Sequence, residues 1–190
     1  LAAPLVSTLQ HPLVDNIVRL SAVEDTLQAL HPLLSLTQVR ARVSRIADET
    51  PDTKTFVLQP NALWAGFQAG QYVRISLEIN GRREHRLYSL SGRPGARKLA
   101  ITVKRQAAGL VSAHLHDHTR VGDVLTLSQA DGDFVLPGAL PQAWPDKILL
   151  LSAGSGITPV MAMLRDLHRR GYAGDVQFLH LCQKIGRAHV

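Results

Sequence analysis

The sequence predicts an antiparallel β-barrel followed by the first β-α-β unit of an α/β domain. Three observations lead there. From Thr37 onward apolar and polar residues alternate, with Val39, Ala41 and Val43 set against Arg40, Arg42 and Ser44, the period of a strand with one buried face. Several short runs of this kind succeed one another, separated by turns rich in Gly and Pro, as in a closed antiparallel sheet. Near residue 148 the pattern changes. Ile148, Leu149, Leu150 and Leu151 are apolar without alternation and lead into Ala153-Gly154-Ser155-Gly156-Ile157-Thr158-Pro159, as expected of a strand covered on both faces in a parallel sheet.

Residues 1–36 are expected to form a helical extension lying on the barrel, because Leu13, Ile17, Leu20, Leu27 and Leu30 recur at helical spacing and form one stripe. The barrel is expected over residues 37–140. After the first strand, Pro51 marks a turn, and Phe56 and Leu58 resume the alternation. Residues 72–79 and 82–90 flank Asn80-Gly81, the dipeptide best suited to the two positive φ angles of a type I′ hairpin. Further strands are expected at 99–105 and 124–127, bounded by Gly92, Pro94, Gly95, Gly109 and Gly122, with one helix near 110–115. A proline-containing linker at 140–145 opens the second unit, 141–183. Its helix should run to Arg170, stop at Gly171, and lead to a strand at 176–181. Two parallel strands and one helix leave apolar faces uncovered, so this unit is expected to be the start of a truncated domain. The last residues, 184–190 (KIGRAHV), fit no element and resemble a translated sequencing-library adapter, so no function is expected of them.

Composition narrows the function. The chain has 190 residues, 45% hydrophobic and 19% charged, and its 14 Gly and 10 Pro are close to the globular average, which excludes wholesale disorder. A single cysteine, Cys182, forms no internal disulfide and no four-cysteine metal site; it is expected to be a buried small hydrophobe in a reducing, cytoplasmic compartment. The net charge of +6 would suit nucleic acid, but only 5% of residues are aromatic, too few for a stacking face, and the basic residues are scattered. A small phosphorylated ligand suits this charge better. No run reaches the roughly 18 apolar residues of an integral membrane segment. His114, His116 and His118 are not expected to bind metal, since no cysteine and only Asp117, on another helix face, accompanies them.

Two segments carry chemistry. Gly154-Ser155-Gly156 between a strand and a helix offers backbone N–H groups to an anion at the positive end of the helix dipole; Thr158 can cap or bind phosphate and Pro159 suits the first helical turn. In the strand Arg86-Leu87-Tyr88-Ser89-Leu90-Ser91, alternation sends Arg86, Tyr88 and Leu90 to one face and Leu87, Ser89 and Ser91 to the other. A guanidinium beside an aromatic ring suits a phosphate-bearing ring system, although these residues taken alone fit an exposed barrel strand better.

These segments, in the order Ala69-Gly70-Gln71-Tyr72-Val73, RLYSLS from Arg86, Ile101-Thr102-Val103-Lys104-Arg105, Gly109-Leu110-Val111-Ser112, Gly132-Asp133-Phe134 and SAGSGITP from Ser152, resemble the ferredoxin-reductase family over about residues 37–182. The resemblance implies a flavin-binding antiparallel barrel (the FAD-binding FR-type domain) ahead of an NAD(P)-binding domain, and flavin-dependent electron transfer from NAD(P)H to an iron–sulfur or haem acceptor. The N-terminal helix and the run HPLLSLTQVRARV are similar to reductases that carry a carboxy-terminal [2Fe-2S] domain and serve fatty-acid desaturases. That implies FAD rather than FMN, a [2Fe-2S] group in the full-length protein but not in this chain, and a ferredoxin, desaturase or oxygenase as acceptor.

By the same resemblance Arg86 meets the flavin pyrophosphate, Tyr88 lies against the ring and ribityl chain, and Ser89 sets a hydroxyl near N5, the last two being the catalytic positions. Val103 and Lys104 would offer backbone groups to the ring edge. Gly109, Leu110, Val111 and Ser112 would bind the flavin phosphates, although Ser112 as a plain helix cap is an open alternative. Gly154, Gly156, Thr158 and Pro159 match the NAD(P) turn. A non-enzymatic flavin-binding fragment is the competing reading.

Overall fold

A computed structural model describes residues 20–136 and 144–182. Leu13 and Ile17 of the apolar stripe, most of the linker and the 184–190 tail lie outside the described residues. The first helix, α1 (Leu20–Leu30), is tied to the segment leading into the barrel by Glu24, whose carboxylate accepts hydrogen bonds from Ser35 Oγ and, at 3.0 Å, from the Leu36 N–H. The stripe is only partly covered: Leu27 is half-buried, whereas Leu30 is 75% exposed.

Six strands make the barrel: β1 (Val39–Thr50), β2 (Thr53–Pro60), β3 (Tyr72–Ile79), β4 (Arg82–Ser89), β5 (Leu99–Lys104) and β6 (Val124–Leu127). They are antiparallel in the order β4-β3-β6-β1-β2-β5. The two edges meet where Leu90 bridges Ile101 and the Ser91 N–H donates to the Ala100 carbonyl at 2.8 Å. Alternation sends Val39, Ala41 and Val43 inward. A bulge at Ser44, whose Oγ donates to the Val57 carbonyl at 3.0 Å, then shifts the parity so that Ile46 opposes the buried Phe56. The β3–β4 hairpin turns through Asn80 (φ +52°) and Gly81 (φ +72°), as expected from the dipeptide.

Helix α2 (Leu110–Asp117) covers the barrel end between β4 and β5, burying Val111 and Leu115 completely in the core. His116 is buried too. Its Nε2 lies 2.8 Å from the Val103 carbonyl and its ring is edge-on to Phe56, while its own carbonyl accepts from Lys54 Nζ at 3.0 Å.

The second unit consists of parallel strands β7 (Lys147–Ala153) and β8 (Asp175–Leu181) joined through a 3₁₀ turn (Gly154–Gly156) and helix α3 (Ile157–Arg169). Leu150, Val160 and Leu167 form its core. The expectation of burial on both faces of 148–151 fails: Leu150 is buried, but Leu149 and Leu151 are each 59% exposed, as are Leu179 (53%) and Leu181 (62%). Among the described residues α3 covers one face only. Cys182, expected to be buried, is exposed, because it lies past the end of β8. The unit meets the barrel through Ala162 and Met163 of α3, which pack on Ala69 with Leu136.

Candidate flavin and nucleotide cleft

β4 begins at a tight hairpin and ends at the barrel seam, and between the two it is an edge strand. Across the β3–β4 pair Tyr88 opposes Val73 and Arg86 opposes Ile75; both partners are fully buried, so Arg86 and Tyr88 occupy inward-facing positions. Beyond the Leu90–Ile101 bridge no further pairing joins β4 to β5 among the described residues, and the barrel opens there. Tyr88 is therefore half-buried and Arg86 exposed.

A cleft of about 290 Å³ occupies this opening, lined by Arg86, Leu87, Tyr88 and Ser89 of β4, Lys104 of β5, Gln106, Gly109, Val111 and Ser112 around the start of α2, and Ser155 and Thr158 from the second unit. Segments far apart in sequence thus converge. Burial pushes the Tyr88 phenol up to about 12, against the opposing pull of the Arg86 charge, so the ring stays neutral across the physiological range. Arg86 Nη1 donates to the His85 carbonyl at 2.7 Å, leaving the rest of its planar fork for an acidic ligand. Lys104 adds a second positive charge, 3.4 Å from Asp52.

The start of α2 is shaped by Gly109. A Cβ there would fall 2.4 Å from Ser112 Oγ and 2.7 Å from the Gln106 side chain. The Ser112 hydroxyl donates to the Gly109 carbonyl and accepts from the Gln106 N–H, both at 3.1 Å, so it holds the loop as well as lining the cleft. The first intrahelical bond is made by the Ala113 N–H to the Gly109 carbonyl at 2.8 Å, and the preceding N–H groups form the positive end of the helix.

Not every expected residue arrives. Val103 is fully buried in the core and its carbonyl is engaged by His116, because an odd position on β5 points inward at the covered end; only its neighbour Lys104 reaches the cleft. Leu110 faces a separate cleft of about 380 Å³ with Glu78, Ile79, Asn80, Ala113, His114, Asp117 and His118. In the second unit the wall is formed by Ser155 and Thr158, whose Oγ1 donates to the Ser155 carbonyl at 2.9 Å. Gly154 (φ +52°) and Gly156 shape that turn without lining the cleft, and Pro159 is buried. Sequence reasoning missed Leu87, Gln106 and Ser155. Ser155 could have been found between its two glycines; Gln106 carries no signal, since its position depends on the loop folding over Ser112.

The family model for the oxidoreductase FAD-binding domain matches residues 40–135. The chain belongs to the oxidoreductase FAD-binding domain family. The match covers the whole six-stranded barrel but for the first residue of β1, and with it the Arg86–Ser89 strand and the start of α2. An NADPH oxidoreductase of Mycobacterium tuberculosis is 40% identical over 164 residues, covering 83% of this chain and 42% of that protein. The FAD/NAD-binding domain of a nitric oxide dioxygenase from Vibrio cholerae superposes with a TM-score of 0.68 at 33% identity, over 77% of this chain and 63% of that one. A ferredoxin NADP⁺ reductase from Neisseria gonorrhoeae, solved with FAD and NADP, superposes at 0.64 with 26% identity, over 75% of this chain and 56% of that one. The fold is thus that of the ferredoxin-reductase flavoproteins. The chain spans less than two thirds of each of these three relatives.

Proposed function

We propose that the cleft of this FAD-binding barrel holds FAD and serves electron transfer from NAD(P)H to a haem or iron–sulfur acceptor. The carrying observation is the convergence, in one opening of the barrel, of an exposed guanidinium, a neutral half-buried phenol, a serine hydroxyl and the positive end of a helix. This set fits a ring joined to a pyrophosphate: Arg86 and the first turn of α2 would hold the phosphates, Tyr88 the ring face, and Ser89 a polar ring atom. When bound, FAD supplies the redox chemistry, taking a hydride from the reduced nicotinamide and passing its two electrons on singly.

The residues supply position and field. Tyr88 keeps its proton, so no anionic phenolate repels the phosphates. Arg86 and Lys104 offset the ligand's negative charge. Ser155 and Thr158, on the opposite wall, stand where a nicotinamide nucleotide would approach, and Gly154, Gly156 and Pro159 shape their turn. FAD is favoured over FMN because the family model that matches residues 40–135 is that of an FAD-binding domain. The acceptor would be a ferredoxin, desaturase or oxygenase protein or domain, its haem or [2Fe-2S] group lying outside the described residues.

Purified protein should be yellow, with a flavin spectrum and a released cofactor of the mass of FAD. FMN would overturn the choice of FAD, and no flavin after reconstitution would remove the whole reading.

A further inference from the structure

The two walls of the cleft belong to different units, so their spacing depends on how α3 is held against the barrel. Part of the hold is apolar: Ala162 and Met163 pack on Ala69. Packing is close there, since a Cβ at Gly70 would fall 1.9 Å from the Phe134 carbonyl oxygen and 2.6 Å from the Met163 methyl. Apolar contact is non-directional and leaves the helix free to turn or slide. A directional contact is supplied by Arg165, whose Nη1 donates to the Ser91 carbonyl.

Both ends of that bond are placed to matter. Ser91 is buried, its N–H donates to the Ala100 carbonyl at 2.8 Å, and its Oγ lies 3.0 Å from Thr102 Oγ1. It succeeds Leu90, which closes the barrel, and comes two residues after Ser89 of the cleft. On α3, Thr158, Ala162 and Arg165 share one stripe, with Thr158 on the cleft, Ala162 at the junction and Arg165 on the barrel carbonyl. The next arginines along the chain, Arg169 and Arg170, pair with the buried Asp166 of their own unit at 2.7 and 2.6 Å. Arg165 makes no ion pair among the described residues.

On the FAD reading of the cleft, we propose that Arg165 is a positioning residue: by bonding the Ser91 carbonyl it holds α3 so that the Ser155–Thr158 turn stays over the Ser89 end of the cleft, at the distance hydride transfer needs. Arg165 is not among the residues that line the cleft, so its effect passes through the helix.

In a Cys182→Ser background, spin labels at Val121→Cys on the barrel and His168→Cys on α3 report the spacing of the units in the FAD-free chain. FAD affinity and the stopped-flow rate of flavin reduction by NADPH and NADH report the site. Arg165→Ala should broaden the label distances, leave FAD affinity unchanged, and slow reduction at saturating nucleotide about 10- to 100-fold. Arg165→Lys, which restores a donor without the fork, should recover part of the rate. If Arg165→Ala loses its folded circular dichroism, Arg165→Gln is read in its place. Unchanged distances, or broadened distances with an unchanged rate, overturn the inference. A parent chain that takes up no FAD, or holds it without reduction by either nucleotide, overturns the functional reading instead, and Arg165's role with it; the label distances still report whether the guanidinium holds the helix.

Discussion

The barrel and the parallel unit bury the apolar residues of their strands differently. In the barrel Val43, Phe56, Leu58, Ile75 and Ile101 have no exposed surface, while in the parallel unit Leu149, Leu151, Leu179 and Leu181 remain more than half exposed. Closing a sheet covers its inner face with its own strands, and one short helix, α2, suffices to stop the open end. An open parallel sheet needs a layer on each side, and among the described residues only α3 supplies one. The cleft draws most of its lining from the barrel, and the wall carrying Ser155 and Thr158 comes from the other unit, which meets the barrel through Ala162, Met163 and Arg165.

The largest test of this contrast is a pair of truncations. Phe56→Ala should cost about 3–5 kcal/mol by urea denaturation, whereas Leu151→Ala on the open face should change stability by no more than about 0.5 kcal/mol. Equal costs would break the comparison. At the junction, Gly70→Ala combines a φ of +107° with a clash on the Phe134 carbonyl and should lower stability by about 3 kcal/mol in thermal melts. Gly66→Ala serves as its control. There φ is +92° but nothing lies within 4 Å, so about 1 kcal/mol is expected.

Next in size is ligand binding. Arg86→Ala should weaken FAD binding by about 1.5–3 kcal/mol, roughly 10- to 100-fold, in fluorescence titration, and Arg86→Lys should recover part of it. Thr158→Ala, on the wall from the second unit, should leave that titration unchanged; a matching loss would mean that both units hold the flavin.

The smallest effect is on pH dependence. Burial raises the folded-state Tyr88 phenol to about 12, so between its unfolded value near 10 and 12 the unfolded chain loses the proton first. Stability contributed by this group is complete below pH 10 and declines as pH rises through that window. Tyr88→Phe should flatten that part of a denaturation-midpoint profile, and an unchanged profile would show that Tyr88 is not desolvated.

The hairpin at Asn80-Gly81, the helix start at Gly109 and the stop at Gly171 (φ +68°) were legible because each is a local steric requirement of the backbone. Much of the cleft was legible too: Arg86, Tyr88, Ser89, Lys104, Gly109, Val111, Ser112 and Thr158 lie in segments whose residue types match their chemistry. Val103 and Leu110 were named for backbone groups in segments that border the cleft; their side chains point elsewhere, Val103 into the core and Leu110 to the second cleft, because side-chain direction depends on parity and on what covers each face.

The sequence by itself determined where strands, turns and helices form, through alternation and through glycines at positions where other residues clash. Only the tertiary structure decided that Leu90 closes the barrel on Ile101, that the bulge at Ser44 turns Ile46 inward, that His116 takes the Val103 carbonyl, that Leu149 and Leu151 stay in solvent, and that Arg165 reaches Ser91. Each of these is a meeting of groups distant in the chain, and no local periodicity records which distant group arrives.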